Sequence, residues 1–188
     1  MAIKILKIAI VIFGAVMMVL HFIPGVGENF PKILSYLATL VLPFAGDALR
    51  LIGVKVSLRF ELAYLLFLIP AMIVGIDLDL YKWEAVPYDK IVHMASGVLT
   101  AFGARELLDQ ASGKPDKMWF KALWSMSFVA FVAVLWECFE FGCDQIGGMH
   151  MQELISEGVT DTMYDMIVAL IGGVIGTILA FPIRNRKR

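Results

Sequence analysis

The chain has 188 residues, of which 60% are hydrophobic, with a mean hydropathy of +0.80 and a formal net charge of −1. That apolar share is well above the share in a soluble domain. It places the chain in lipid as one integral membrane domain over residues 1–188. A charge so near zero supplies no global field for nucleic acid, which is excluded as a partner class.

Residues 3–23 are apolar apart from Lys4, Lys7 and His21, long enough to cross a hydrocarbon core of about 30 Å. A basic start before an apolar run also describes a signal peptide. No small-x-small cleavage motif precedes Pro24-Gly25, so an uncleaved first span is expected. A second, weaker span is expected over residues 30–46, interrupted by Pro31 and Pro43, and a third over residues 59–76, with Pro70 inside it. Tyr88-Asp89-Lys90-Ile91-Val92-His93 opens a fourth span over residues 89–108. The breakers Gly113-Lys114-Pro115-Asp116 then mark a loop. A fifth span covers residues 118–142, and a glycine-containing loop leads to a sixth over residues 161–181, before Pro182 and a basic tail.

The expected fold is therefore an all-α polytopic transmembrane helix bundle of about six spans. Both termini are expected on the cytoplasmic side of a plasma or inner membrane. The positive-inside rule supports this: with the tail in the cytoplasm, only Lys32, Lys82 and Lys90 of the basic residues fall outside. Most acidic residues, and all three histidines, segregate to the outer side.

The outer side concentrates three sets of polar residues at helix ends. Asp89 and His93 are spaced i, i+4 at the start of the fourth span. Glu137, Glu140 and Asp144 share one face at the end of the fifth, and Asp161 and Asp165 are again i, i+4 at the start of the sixth. Nothing basic lies between Lys121 and Arg184 to neutralise the last two sets in sequence. Carboxylates in a membrane helix are costly and mark function by default. Such a density of like charge needs a bound cation, shared protons or escape into water. Capping of free N–H groups accounts for Asp89 and Asp161, but not for His93 or Asp165 one turn further in.

Carboxylates with one imidazole suit a divalent metal. Zinc, manganese, iron, magnesium and calcium all fit, and the spacing does not choose among them. The Glu-x-x-His pairs of di-iron bundles and the His-Glu-x-x-His motif are both absent. Gly172-Gly173-Val174-Ile175-Gly176 is a small-residue face for close helix approach, which Gly97 and Ala101 are placed to meet. Trp119, Trp124 and Tyr88 fall at interfacial positions. Cys138 and Cys143 lie too far apart on a straight helix to bridge, and a disulfide between them requires a break at Gly142.

Three stretches resemble the YjdF-type family of bacterial and archaeal polytopic membrane proteins and, more distantly, VanZ-like proteins. They are Tyr88-Asp89-Lys90-Ile91-Val92-His93-Met94-Ala95-Ser96-Gly97, then Leu135-Trp136-Glu137-Cys138-Phe139-Glu140, then Asp161-Thr162-Met163-Tyr164-Asp165-Met166. The resemblance covers roughly residues 60–183. Met94 stands where the family pattern has an aromatic residue, and Glu157 lies near a position where it often has an aspartate. The resemblance joins Asp89, His93, Glu137, Glu140, Asp161 and Asp165 into one site and supplies no reaction.

The leading functional expectation is a metal-dependent hydrolase acting on an envelope lipid or lipid-linked substrate. His93, Glu137, Asp161 and Asp165 would supply metal ligands, with Glu140 or Asp89 as base or supporting group. The scarcity of basic residues outside counts against phosphate substrates. The alternatives are a cation- or proton-coupled transporter, which would place its site nearer the midplane, and a non-catalytic cation-binding scaffold.

Overall fold

The computed structural model describes residues 1–23, 30–77, 80–82, 86–111, 117–147 and 158–182. These residues form seven α-helices and no strand. Helix α1 (Ala2–His21) turns Lys7, Ile10 and Gly14 inward. Ile5, Ile8, Ile12, Val16 and Val19 lie exposed on its outer surface. Exposed aliphatic side chains of this density on long helices belong against lipid tails rather than water. Ile10 packs on Leu65 and Leu68 of α4 (Leu58–Leu68).

The interrupted second segment is a bent helical run. Helix α2 (Phe30–Val41) has 12 residues, a rise of about 18 Å, too short to cross alone. A 3₁₀ turn at Leu42–Phe44, built around Pro43, joins it to α3 (Ala45–Leu51). The run lies antiparallel to α1. The His21 and Tyr36 rings meet edge-on at one end, and Lys7 pairs with Asp47 at the other. Between them Thr39 seats against Gly14, where any Cβ would overlap its hydroxyl.

Ser57 caps α4 by accepting a hydrogen bond from the Phe60 amide at 3.1 Å. The α4 helix continues as a π-helical stretch over Ile69–Asp77. Pro70 is the physical reason for the change: it has no N–H, and its ring displaces the carbonyl four residues back. Two carbonyls of the widened stretch accept from tyrosines. Tyr88 donates to Pro70 and Tyr81 to Ala71, each at 2.9 Å. Burial pushes the Tyr81 phenol upward, so it stays a neutral donor.

Helices α5 (Tyr88–Gln110), α6 (Met118–Gly147) and α7 (Gly158–Ala180) form the other half. The expected small-residue contact is present between α5 and α7. A Cβ at Gly97 would fall on the Ala169 carbonyl, and one at Gly172 on the Met94 carbonyl. In lipid there is little hydrophobic drive between helices, so this backbone approach is what dispersion and weak Cα–H contacts require. Trp124 of α6 donates to the Ala104 carbonyl at 2.8 Å, and Arg105 to the Ala180 carbonyl at 2.6 Å. These bonds bring the end of α5, the start of α6 and the end of α7 together, and the Ser57 amide, donating to Glu106 at 2.9 Å, places the start of α4 at the same end.

Four segments among the described residues are long and apolar enough to cross a membrane: Ala2–His21, Leu58–Gly75, Met118–Gly142 and Val159–Ala180. Helix α5 is as long as α7, at 23 residues, but carries charges at both its ends. Helix α6 runs unbroken through Gly142, so no break brings Cys138 toward Cys143. Cys138 is a free thiol, and the side chain of Cys143 lies outside the described residues.

Candidate functional site

Three helix termini meet at the other end of the bundle. The first two turns of α5 bring Asp89, Lys90 and His93, and the second half of α6 brings Glu137 and Glu140. The first two turns of α7 bring Asp161 and Asp165. Asp89 does not cap α5. Pro87 occupies that position without a side-chain bond, and Asp89 lies in the first turn, near the positive end of the helix dipole.

His93 is the hub. Its Nε2 lies 3.4 Å from Asp89 Oδ1 and 3.8 Å from Asp165 Oδ1, while its Nδ1 lies 3.9 Å from Glu137 Oε1. His93, Glu137, Glu140 and Asp165 are all buried, Asp165 most completely at 1% exposure. Ser96 donates to the His93 carbonyl at 2.7 Å, and Trp136 holds Glu140 Oε1 at 2.7 Å through its indole N–H. Thus i, i+4 geometry positions two carboxylates, Asp89 with His93 and Glu140 with Trp136.

Lys90 is the residue that the sequence reading left out of the site. Its ammonium pairs with Asp161, lies 2.7 Å from Asp165 Oδ1 and 3.2 Å from Asp89 Oδ2. Compensation for the α5 and α7 carboxylates therefore comes from within the site. The signal was present in sequence, since Lys90 lies inside the motif between Asp89 and His93. In the sequence alone its charge stands out as an exception to the positive-inside asymmetry. Lys90 does not serve α6, where Glu137 and Glu140 have no lysine or arginine ion pair among the described residues.

Two buried oxygens have no hydrogen-bond partner among the described residues, Glu137 Oε2 and Asp165 Oδ1. Lys90 Nζ, 2.7 Å from Asp165 Oδ1, makes an ion pair there without a hydrogen bond. An unpaired buried acceptor is costly and marks a place where a ligand proton or cation completes the structure.

Asp89, His93 and Asp165 each offer one ligand atom, all within 4.8 Å of one another, and this group could hold a metal ion. Glu137 stands on the opposite edge of the imidazole, and Asp161 is occupied by Lys90. The six sequence-derived residues are therefore assembled at one end, with the tightest ligand set drawn from Asp89, His93 and Asp165. Asp144 lies two turns beyond Glu137 and is half-buried. Glu157 and His150 lie outside the described residues.

The model of a family described as "Predicted membrane protein (DUF2238)" matches residues 5–186. The chain belongs to that family, and the match agrees with the YjdF-type motifs. No curated protein and no solved structure matches the chain.

Proposed function

We propose that this member of the DUF2238 membrane-protein family binds a divalent cation at its acidic end and uses it to hydrolyse a lipid or lipid-linked substrate. In this reading six spans cross the plasma or inner membrane, with both termini in the cytoplasm and the site facing outward. The observation that carries it is the convergence of Asp89, His93 and Asp165, whose ligand atoms lie within 4.8 Å of one another, with Asp165 Oδ1 buried and without a hydrogen bond among the described residues. Two carboxylates and an imidazole form a mixed oxygen and nitrogen ligand set that accepts zinc, manganese or iron readily, and magnesium or calcium with added waters.

A bound divalent ion lowers the pKa of its water and polarises a phosphoryl or acyl oxygen. The chain's own groups supply the rest. Glu137, 3.9 Å from His93 Nδ1, adds a negative charge on the far edge of the imidazole that favours cation binding. Glu140, aligned by the Trp136 indole, is the proton acceptor. Lys90, a quarter exposed, is placed to pair with an anionic group of the substrate. Its charge is shared with Asp89, Asp161 and Asp165, so the cation carries most of the attraction for a substrate phosphate.

Transport is less well supported. Below the site Gly97 meets Ala169 and Gly172 meets Met94 backbone to backbone, while Val129, Ala101 and Ala104 are fully buried. A buried polar pair between α6 and α7, Ser125 and Thr177, lies toward the opposite end. Among the described residues the packing between them is close and apolar, unlike the hydrated path that ion translocation requires.

The test is elemental analysis of purified wild type beside Glu137→Gln and Asp165→Asn, after mild chelation. It is followed by assays for phosphate or fatty-acid release from outer-leaflet lipids, with Glu140→Gln added. Near-stoichiometric metal in wild type and Glu140→Gln, lost in Asp165→Asn, with turnover absent from Glu140→Gln, supports the reading. A folded, metal-free wild type with cation resupplied would end it. Metal without turnover of any lipid would leave the cation-binding scaffold.

A further inference from the structure

A second polar assembly lies at the opposite end, and it is closed. Lys7 Nζ sits 2.6 Å from both Asp47 Oδ2 and Glu61 Oε1, while Arg50 reaches Asp47 Oδ1 at 3.0 Å and Glu61 Oε2 at 2.5 Å. Two cations face two anions, and every carboxylate oxygen is engaged. This neutral network floors a cavity of about 480 Å³ between the starts of α1 and α4. Lys4 and Arg59 also line it. Both are exposed and neither makes an ion pair among the described residues, so the cavity carries two uncompensated positive charges.

The wall of the cavity is apolar. Leu58 and Leu62 line it, and Leu66 continues the same exposed face of α4 at i, i+4, i+8 spacing. The feature therefore has a cationic mouth at a helix end and an aliphatic track leading from it along a segment able to span the membrane. A soluble anion would use the mouth alone. A diacyl lipid with an anionic headgroup would use both, its phosphate against Lys4 and Arg59 and one acyl chain along Leu58, Leu62 and Leu66. Basic pockets between helices at the positive end of a bundle suit such headgroups.

We propose that this cavity is a binding site for an anionic phospholipid of the leaflet that meets the basic end. Lys4 and Arg59 act as the headgroup contacts, and the Lys7–Asp47–Arg50–Glu61 network acts as a rigid floor. The proposal does not depend on the reaction at the acidic end.

The experiment uses the full chain in phosphatidylcholine nanodiscs containing a small fraction of phosphatidylglycerol. Lipid retained after exchange into detergent is quantified by native mass spectrometry. Wild type is expected to retain about one phosphatidylglycerol per chain, and the Lys4→Gln/Arg59→Gln double variant to bind it roughly thirtyfold more weakly. The control Lys117→Gln/Lys121→Gln removes equal charge from the start of α6 at the same end, and is expected to retain the lipid as wild type does. Equal loss in both double variants would reduce the effect to general surface attraction and overturn the site. Equal thermal stabilisation of wild type by inorganic phosphate and by phosphatidylglycerol would overturn the lipid assignment in favour of a free-anion site. Retention unchanged in Lys4→Gln/Arg59→Gln would overturn both.

Discussion

The two ends of the bundle solve the same electrostatic problem in opposite ways. At the basic end Lys7 and Arg50 face Asp47 and Glu61 with no oxygen left over. At the acidic end five carboxylates, Asp89, Glu137, Glu140, Asp161 and Asp165, face only Lys90 and His93 among the described residues, and two buried oxygens lack a hydrogen bond there. A matched network in a low-dielectric setting has nothing to offer a ligand and serves structure. An unmatched one stores an electrostatic deficit that an added cation relieves. The difference separates a structural ion-pair cluster from a candidate site more reliably than the number of charged residues does.

The largest effect should come from breaking the matched end. Glu61→Gln leaves the buried Lys7 and the one-third-exposed Arg50 to share Asp47 alone. The expected cost is about 3 kcal/mol, the low end of the range for removing one member of a buried pair, seen as a marked fall in unfolding temperature in detergent. The same change at the unmatched end should act in the opposite sense. Glu137→Gln removes a repelling charge whose Oε2 has no hydrogen-bond partner, so its metal-free stability should equal or exceed that of wild type. A fall as large as that of Glu61→Gln would show that the acidic end is a structural network after all.

Chelation sharpens the contrast next. If the acidic end is completed by a divalent ion, adding it at about one hundred times its dissociation constant should stabilise wild type by about 2.7 kcal/mol. His93→Ala and Asp165→Asn should show no such gain, and Lys4→Gln/Arg59→Gln should retain it in full. Calorimetric scans with and without chelator decide the point.

Lys90→Gln probes the internal counter-ion. Its ammonium occupies the Asp165 oxygen that a metal would share, so the two cations compete. The variant should bind divalent cation roughly tenfold more tightly, about 1.4 kcal/mol, while losing turnover of an anionic substrate. Weaker metal binding in the variant would mean that Lys90 organises the ligands and does not compete with the ion.

The smallest effect belongs to pH at the basic end. The hydrogen bond from Lys7 holds the Asp47 carboxyl below its ordinary value of 3.8. A depressed folded value means its stabilisation is complete above that pH and is lost as pH falls through the lower, folded value. Because the Asp47 side chain is half exposed, solvent screening keeps the effect slight. Unfolding temperature should dip on acidification below about pH 4, and Asp47→Asn should flatten that part of the profile. An unchanged profile would place the acid sensitivity elsewhere.

Much of the fold was legible because its signals are local. Apolar runs of spanning length gave the helices, Pro70 fell where the helix widens, and the small-residue face of α7 met Gly97 and Ala101 of α5, through Gly173 and Gly176, as the spacing required. The i, i+4 pairs placed Asp89 with His93 and Asp161 with Asp165, since helical periodicity alone fixes a shared face. The sequence also carried the charge asymmetry that separates the two ends. Partner choice between helices was decided only by the tertiary structure. Lys90 reaching Asp161 and Asp165, and Lys7 reaching Glu61, join residues 71, 75 and 54 positions apart. Such pairings depend on the depth and rotation at which packed helices settle. No one-dimensional pattern encodes those quantities, and they alone determined which end closed on itself and which kept oxygens unpaired.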